Sequence, residues 1–272
     1  MLPLSSFRQG RKSLILKQFE HIGCVKLAHP VSFFGGSMAS ALVNCNFPDR
    51  AIKELSKYAT VIPLPAAHYL TAPMAHHPDM LVFVGSGLFV CHRKYYIENS
   101  VLIDSIVARS ALKLVISDEE IADTYPHDAI FNACTVGKFL ICNTKNVSEH
   151  ILDMASKNGL EPLHVNQGYT KCSTLIVGSN ELITSDRGIH AAAQGVGIKS
   201  LLIDAGNVTL KPYNYGFIGG ASGTLDNKVF FCGNLDGHPD KERIVSFISD
   251  CGKECVFLPF EELEDTGSIL FF

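Results

Sequence analysis

One short pattern occurs four times in this chain, and it limits the possible folds more than any other feature. Each copy reads as an apolar strand, a tight Gly/Asn turn, a second apolar strand, a helical stretch and a short apolar strand. The second strand marks the register: Leu88-Phe89-Val90-Cys91, Phe139-Leu140-Ile141-Cys142, Leu182-Ile183-Thr184-Ser185 and Val229-Phe230-Phe231-Cys232. Each copy ends on a small residue, Cys or Ser, and the steps between copies are 51, 43 and 47 residues. A unit of this size must stack on neighbours to bury its apolar surface, so a period of roughly 20 to 50 residues signals a propeller, solenoid or array. The repeat also makes equivalent positions comparable, so each can be asked whether it carries chemistry.

The repeat units fall at about 77–126, 127–168, 169–216 and 217–267. In the first, strands are expected over 80–84, 88–91 and 112–116, with a helix over 101–110. In the others, the first strands are expected over 129–136, 172–177 and 220–225, and the helices over 148–157, 188–196 and 239–249. Asp226-Asn227 suits a hairpin turn and Asn158-Gly159 a helix C-terminus. A fifth unit is split between the ends, over 20–76 and 268–272. Residues 49–59 read as a helix and 61–64 as a strand, and the final apolar run 268–272 supplies a missing strand. Strands from both ends would then close the ring and remove the open edges that invite aggregation. The expectation is one α/β domain over 1–272, a five-bladed ββαβ propeller.

Composition narrows the function classes. With 47% apolar and 18% charged residues over 272 positions, the chain has an ordinary globular make-up. Its net charge of −4 and lack of a Lys/Arg cluster disfavour a nucleic-acid surface. No apolar run approaches the length of a membrane span, and Met1 to Ser6 shows no signal-peptide pattern. Nine cysteines, several inside apolar strands, read as small buried hydrophobes rather than disulfide partners. A reducing cytoplasm is the expected location. No zinc-binding spacing is visible, and no cofactor is implied. The oligomeric state is open.

Two short motifs join the repeat. His77-Pro78-Asp79 opens the first unit, and Gly168-Tyr169-Thr170-Lys171-Cys172-Ser173-Thr174-Leu175-Ile176 opens the third. Together with five ββαβ units, they resemble the penteins, the guanidino-group-modifying enzyme fold. Its members include arginine and agmatine deiminases, dimethylarginine dimethylaminohydrolase, amidinotransferases and a non-catalytic ribosome-binding initiation factor. The first motif is similar to the His-x-Asp of a middle blade in family enzymes, and the second to the strand bearing the cysteine nucleophile. The two lie two units apart, as in the family. Family enzymes usually carry that cysteine near the C-terminus, so the resemblance implies a circularly permuted order here. In the dimethylarginine branch the cysteine follows the Thr directly. Here that place is Lys171, and alternation along a strand decides which of Lys171 and Cys172 faces the channel.

The resemblance implies cysteine-dependent hydrolysis or amidino transfer on a small guanidine or amidine, and the alternative is a non-catalytic binding or assembly protein of the same fold. Aligning the units puts Pro78/Asp79, His127/Asp128, Lys171/Cys172 and Gly219/Gly220 at the heads of the first strands, converging on the axis. Guanidinium chemistry needs a thiolate of lowered pKa, an acid for the leaving amine and carboxylates for the guanidinium nitrogens. Cys172, His77 and His127 are the candidate catalytic residues. Asp79, Asp128 and Lys171 are the candidate substrate-binding residues, with Lys171 lowering the thiol pKa. On this reading Cys172 is the fastest-alkylating of the nine cysteines. Each residue has a plainer reading. Cys172 can be a packing cysteine like Cys142, and His77-Pro78-Asp79 a capped turn. His76, His77 and His127 with Asp79 or Asp128 could bind a metal, though no spacing fixes one. Gly216, Gly219, Gly220 and Gly223 could cradle an anion or permit close packing.

Overall fold

The structure, a computed structural model, describes residues 38–272. The N-terminal stretch and the part of the split unit over 20–37 lie outside the described residues. Five three-stranded sheets make up the fold. In four units an antiparallel hairpin is followed by a crossover helix and a third strand parallel to the second. They are β3 (Val82–Gly85), β4 (Leu88–His92), α3 (Arg93–Ala108) and β5 (Lys113–Ser117); β6 (Cys134–Val136), β7 (Phe139–Cys142), α4 (Glu149–Lys157) and β8 (Glu161–His164); β9 (Thr174–Ile176), β10 (Glu181–Thr184), α6 (Arg187–Gly195) and β11 (Lys199–Leu202); β12 (Ser222–Leu225), β13 (Lys228–Cys232), α7 (Lys241–Asp250) and β14 (Glu254–Leu258). One-turn helices α2 (Pro78–Leu81) and α5 (Thr170–Ser173) precede β3 and β9.

The split unit joins both ends of the described chain. Its sheet runs β15 (Leu270–Phe271), β1 (Ser40–Asn44), β2 (Thr60–Leu64), with α1 (Asp49–Leu55) as the crossover. Leu42 pairs antiparallel with Leu270 and parallel with Ile62. The expected partnership of the last strand with 61–64 is present, and β1 lies between them. Ser-Ala-Leu-Val-Asn is too short an apolar run to have signalled that strand in the sequence.

Each second strand is buried on both faces, which explains its continuous apolar run. Along β4, Phe89 and Cys91 pack in the cluster shared with the split unit, whereas Leu88 and Val90 pack in the cluster shared with the β6–β8 unit. The same alternation places Leu140 and Cys142 on one side of β7 and Phe139 and Ile141 on the other. In β13, Val229 and Phe231 face the β9–β11 unit, whereas Phe230 and Cys232 face the split unit. Five apolar clusters thus each join two units, one of them linking the β12–β14 unit to the sheet with both ends of the described chain. Facing corrects the register read from the sequence. The equivalents of Cys91 and Cys142 are Val43, Thr184 and Phe231, so Ser185 and Cys232 come one residue late.

The first strands are shorter than expected. Residues 80–81, 129–133, 172–173 and 220–221 are helical turns, bends or irregular backbone rather than strand. Lys171 and Cys172 therefore sit in a turn, and the strand-alternation argument does not govern where they point.

Candidate active site at the strand heads

The five segments that lead into the first strands are tied to one another. Asp79 N donates to Gly267 O at 3.1 Å, and Gly220 N donates to Cys172 O at 2.8 Å. Thr266 N and Ser268 N both donate to Gly220 O, at 3.1 and 2.7 Å. Asn132 supplies the remaining link. Its Nδ2 donates to Asp79 O at 3.1 Å, and its Oδ1 accepts from Lys171 N at 2.7 Å and Cys172 N at 3.2 Å. Such close backbone approach needs glycine. A Cβ on Gly219 would strike the carbonyl oxygens of Lys171 and Cys172, and Gly267, at φ +80°, lies against the His77 side chain. The glycines at these heads serve packing; no anion cradle is needed to explain them.

Within this knot, Cys172 Sγ donates to Asp79 Oδ2 at 3.1 Å and accepts from Asn132 Nδ2 at 3.0 Å. The same Asp79 oxygen accepts from Ser268 Oγ at 2.5 Å. Lys171 Nζ donates to Ser268 Oγ at 2.9 Å. The result is a continuous chain, Lys171–Ser268–Asp79–Cys172. Ser268 is fully buried and has φ +68°. A non-glycine residue in that region costs on the order of 1–3 kcal/mol, and its hydroxyl holds it there, accepting from Lys171 Nζ and sharing its one proton between Asp79 Oδ2 and Gly219 O, the latter at 3.0 Å. Below the heads, Asp79 and Lys171 line a cavity of about 50 Å³ with Thr135, Ile176 and Leu270 of the first strands.

Two further pairs of groups lie in the same head segments. His77 Nδ1 is 3.8 Å from Asp265 Oδ1, and Asp265 accepts from Phe217 N at 2.8 Å and Gly267 N at 3.0 Å. Asp128 Oδ2 accepts from Tyr169 Oη at 2.8 Å. His77, Asp79, Asp128, Cys172 and Asp265 are all buried, at 5% exposure or less. Three of their polar atoms make no hydrogen bond: Asp79 Oδ1, Asp128 Oδ1 and His77 Nδ1. Buried polar atoms are normally hydrogen-bonded, so these orphans call for an explanation.

The electrostatics correct one expectation. Burial pushes the Cys172 thiol well above its ordinary value, and the Asp79 and Asp265 carboxylates push it further. Lys171 does not act on the thiol as expected, because its ammonium turns to Ser268 and Gly219 O. Burial likewise raises the Asp265 and Asp128 carboxyls. The thiol of the ligand-free protein is thus protonated and shielded, and fastest alkylation of Cys172 does not follow.

Of the six residues singled out in the sequence, Cys172, Asp79 and Lys171 meet in one hydrogen-bonded chain. His77 joins them through Asp265, and Asp128 through Tyr169, which packs in the same cluster as Cys172. His127 stays apart; it is half-buried and its backbone N–H bonds Thr124 O, with no hydrogen bond from its ring among the described residues. Asn132, Asp265 and Ser268 escaped the sequence reading. Asp265-Thr266-Gly267-Ser268 is the head of the split unit, which aligning the final strand with the other first strands would have revealed. Among the described residues, no three His, Cys, Asp or Glu are grouped to hold a metal, and no helix is long and apolar enough to cross a membrane.

The fold has solved counterparts. A dimethylarginine dimethylaminohydrolase from Pseudomonas aeruginosa, a cysteine-to-serine mutant complexed with citrulline, superimposes with a TM-score of 0.54 at 11% identity, covering 86% of this chain and 98% of that one. A second dimethylarginine dimethylaminohydrolase, an adduct with 4-chloro-2-hydroxymethylpyridine, gives 0.51 at 11% identity, covering 80% and 91%. The arginine dihydrolase ArgZ of cyanobacteria gives 0.50 at 10% identity, covering 81% of this chain and 36% of that one. These likenesses show the pentein fold. No curated protein has a significantly similar sequence. The model of DUF6873, described as a family of unknown function, matches residues 42–270, and the chain belongs to that family.

Proposed function

We propose that this protein acts on a small guanidine or amidine through Cys172, and that the cation itself switches the thiol on. The observation that carries the reading is the unpartnered Asp79 Oδ1 in a buried site where the other oxygen of the same carboxylate holds the thiol. A guanidinium offers planar N–H donors that match a carboxylate. Its positive charge opposes the two carboxylates that hold the thiol protonated, so binding favours the thiolate. The thiolate adds to the planar carbon, the amine leaves with a proton, and the amidino group stays on sulfur until water or a second amine takes it. His77, whose Nδ1 makes no hydrogen bond and lies 3.8 Å from Asp265 Oδ1, is the group to protonate the leaving amine. Asp128 is a second carboxylate for the cation, and Lys171 and Ser268 hold Asp79 in place. The β12–β14 unit that follows the Cys172 unit supports a circularly permuted order relative to the enzymes the chain resembles.

A second reading is favoured by one observation: Cys172 is only 3% exposed. A thiol that never opens to ligand would make this a binding or assembly protein with the same fold. Calorimetry separates the two. Small guanidines should bind the wild-type protein, and Asp79→Asn should weaken binding by about 2–5 kcal/mol, the usual cost of removing one partner of a buried charged pair. Absence of heat with any guanidine, or equal affinity for both proteins, contradicts guanidinium recognition at Asp79.

A further inference from the structure

Beside the strand heads lies an open cleft of about 680 Å³, lined by Tyr125, His164 to Tyr169, Asp186 and Gly188. Tyr169 connects it to the central site, for this residue lines the cleft, bonds Asp128 through its hydroxyl and packs in the cluster that contains Cys172. We propose that the cleft holds the tail of the guanidine or amidine, and that it selects a tail ending in an amine over one ending in a carboxylate. This inference rests on the guanidine reading of the central site and names the kind of substrate it takes.

Three features carry it. The first is charge. Asp186 is the one acidic side chain among the lining residues, and neither Lys nor Arg is present there. Asp186 Oδ1 accepts from Ile189 N at 2.8 Å and Oδ2 accepts from Gln167 Nε2 at 3.2 Å, which fixes the carboxylate at the rim. The N-terminus of the helix over Arg187–Gly195 would by itself attract an anion, but the Asp186 carboxylate already caps it and reverses the sign. An incoming carboxylate would meet that charge with no lysine or arginine of the lining to offset it.

The second feature is aromatic. Tyr125 and Tyr169 have ring centroids 5.7 Å apart, and Tyr169 stacks on Phe217 at 6.4 Å. Tyr125 keeps 48% of its surface exposed although its hydroxyl is anchored by Asn146 Nδ2 at 2.8 Å. An exposed, immobilised tyrosine face is suited to an ammonium group, which it attracts through the ring quadrupole. The third feature is continuity. Tyr169 lines the cleft and its hydroxyl holds Asp128, so a cation bound at Asp128 lies within reach of a tail seated in the cleft.

The test is calorimetric titration of the full chain with butylguanidine, (4-aminobutyl)guanidine and arginine, each against wild type, Asp186→Ser and Tyr125→Leu. Serine at 186 still caps the helix, so the variant removes charge without removing the cap. Wild type should bind (4-aminobutyl)guanidine roughly tenfold more tightly than butylguanidine, the scale of one rim ion pair plus one cation–π contact, with arginine the weakest. Asp186→Ser and Tyr125→Leu should each shrink the preference for the amine tail and leave butylguanidine unchanged. Equal binding of the three ligands, arginine binding best, or a uniform loss with all three in the variants overturns the tail assignment while the guanidine reading stands. No binding of any guanidine to wild type overturns both.

Discussion

At the scale of single residues, the decisive fact is that one carboxylate, Asp79, serves the thiol, the serine and the lysine at once. Its Oδ2 takes the Cys172 and Ser268 donors, and Ser268 takes Lys171. The sign of its effect on the thiol follows from charge. Burial and the negative Asp79 and Asp265 raise the thiol pKa well above 9.0, so the protonated form prevails through neutral pH. Removing one negative charge must lower that pKa. Asp79→Asn should therefore speed alkylation of Cys172 near pH 8, by about tenfold if the thiol pKa falls by one, with the midpoint of the pH–rate curve moving down. Mass-spectrometric mapping of labelled peptides across pH checks this, and an unchanged or higher midpoint contradicts it. In the wild-type protein without ligand, the half-buried Cys45, Cys251 and Cys255 should label before Cys172. His77→Ala should lower turnover by roughly 100-fold or more with a milder effect on binding, as for a lost general acid; equal losses in kcat and affinity would place His77 in binding instead.

Among elements, the repeat was legible because each second strand is buried on both faces and so carries an unbroken apolar run. The hairpin turns were legible from Gly and Asn. The strand heads were not, because their short helical turns are set by contacts with residues far away in the chain. Asn132 bonds Asp79 O and the backbone of Lys171 and Cys172, pairings about 40 and 53 residues distant in sequence. A local reading extends the strand through such positions. Asp79, Lys171 and Cys172 were found because two motifs flagged them, whereas Ser268 and Asp265 lie in a head no motif marked. Backbone geometry at that head makes a test. Gly267 has φ +80° and faces His77, so Gly267→Ala adds both a left-handed strain and a clash. It should destabilise by about 1–3 kcal/mol or more, read as a lower midpoint in denaturant. A loss within error of zero would mean the turn relaxes freely and does not brace the site.

At the scale of the whole molecule, the two ends of the described chain meet in one sheet. Leu270 and Phe271 pair with β1, and Phe272 exchanges backbone hydrogen bonds with Ser40 at 2.8 and 3.0 Å. Five clusters join neighbouring units, and from them we infer a closed ring. Truncation after Gly267 would remove β15 and Ser268 together, and it exposes an edge of β1. The truncated chain should unfold or aggregate, which size-exclusion chromatography and a melting curve can detect. A soluble product with unchanged Tm contradicts closure. The split unit was legible at its end, as an isolated apolar run, but its central strand was not, because Ala41, Leu42 and Val43 alone give too short a signal.

A thiol activated by a bound cation is tested most directly by comparing two alkylating reagents of similar size on the native protein. One is a neutral haloacetamide, and the other is the corresponding haloacetamidine, which carries the amidinium charge. The haloacetamidine should modify Cys172 at neutral pH at least about tenfold faster than the haloacetamide does. A small guanidine should protect Cys172 from it, and Asp79→Asn should remove the difference between the reagents. Equal slow rates with both reagents, or labelling of Cys45, Cys251 and Cys255 with Cys172 untouched by either, contradict a catalytic thiol and leave a binding protein of the same fold.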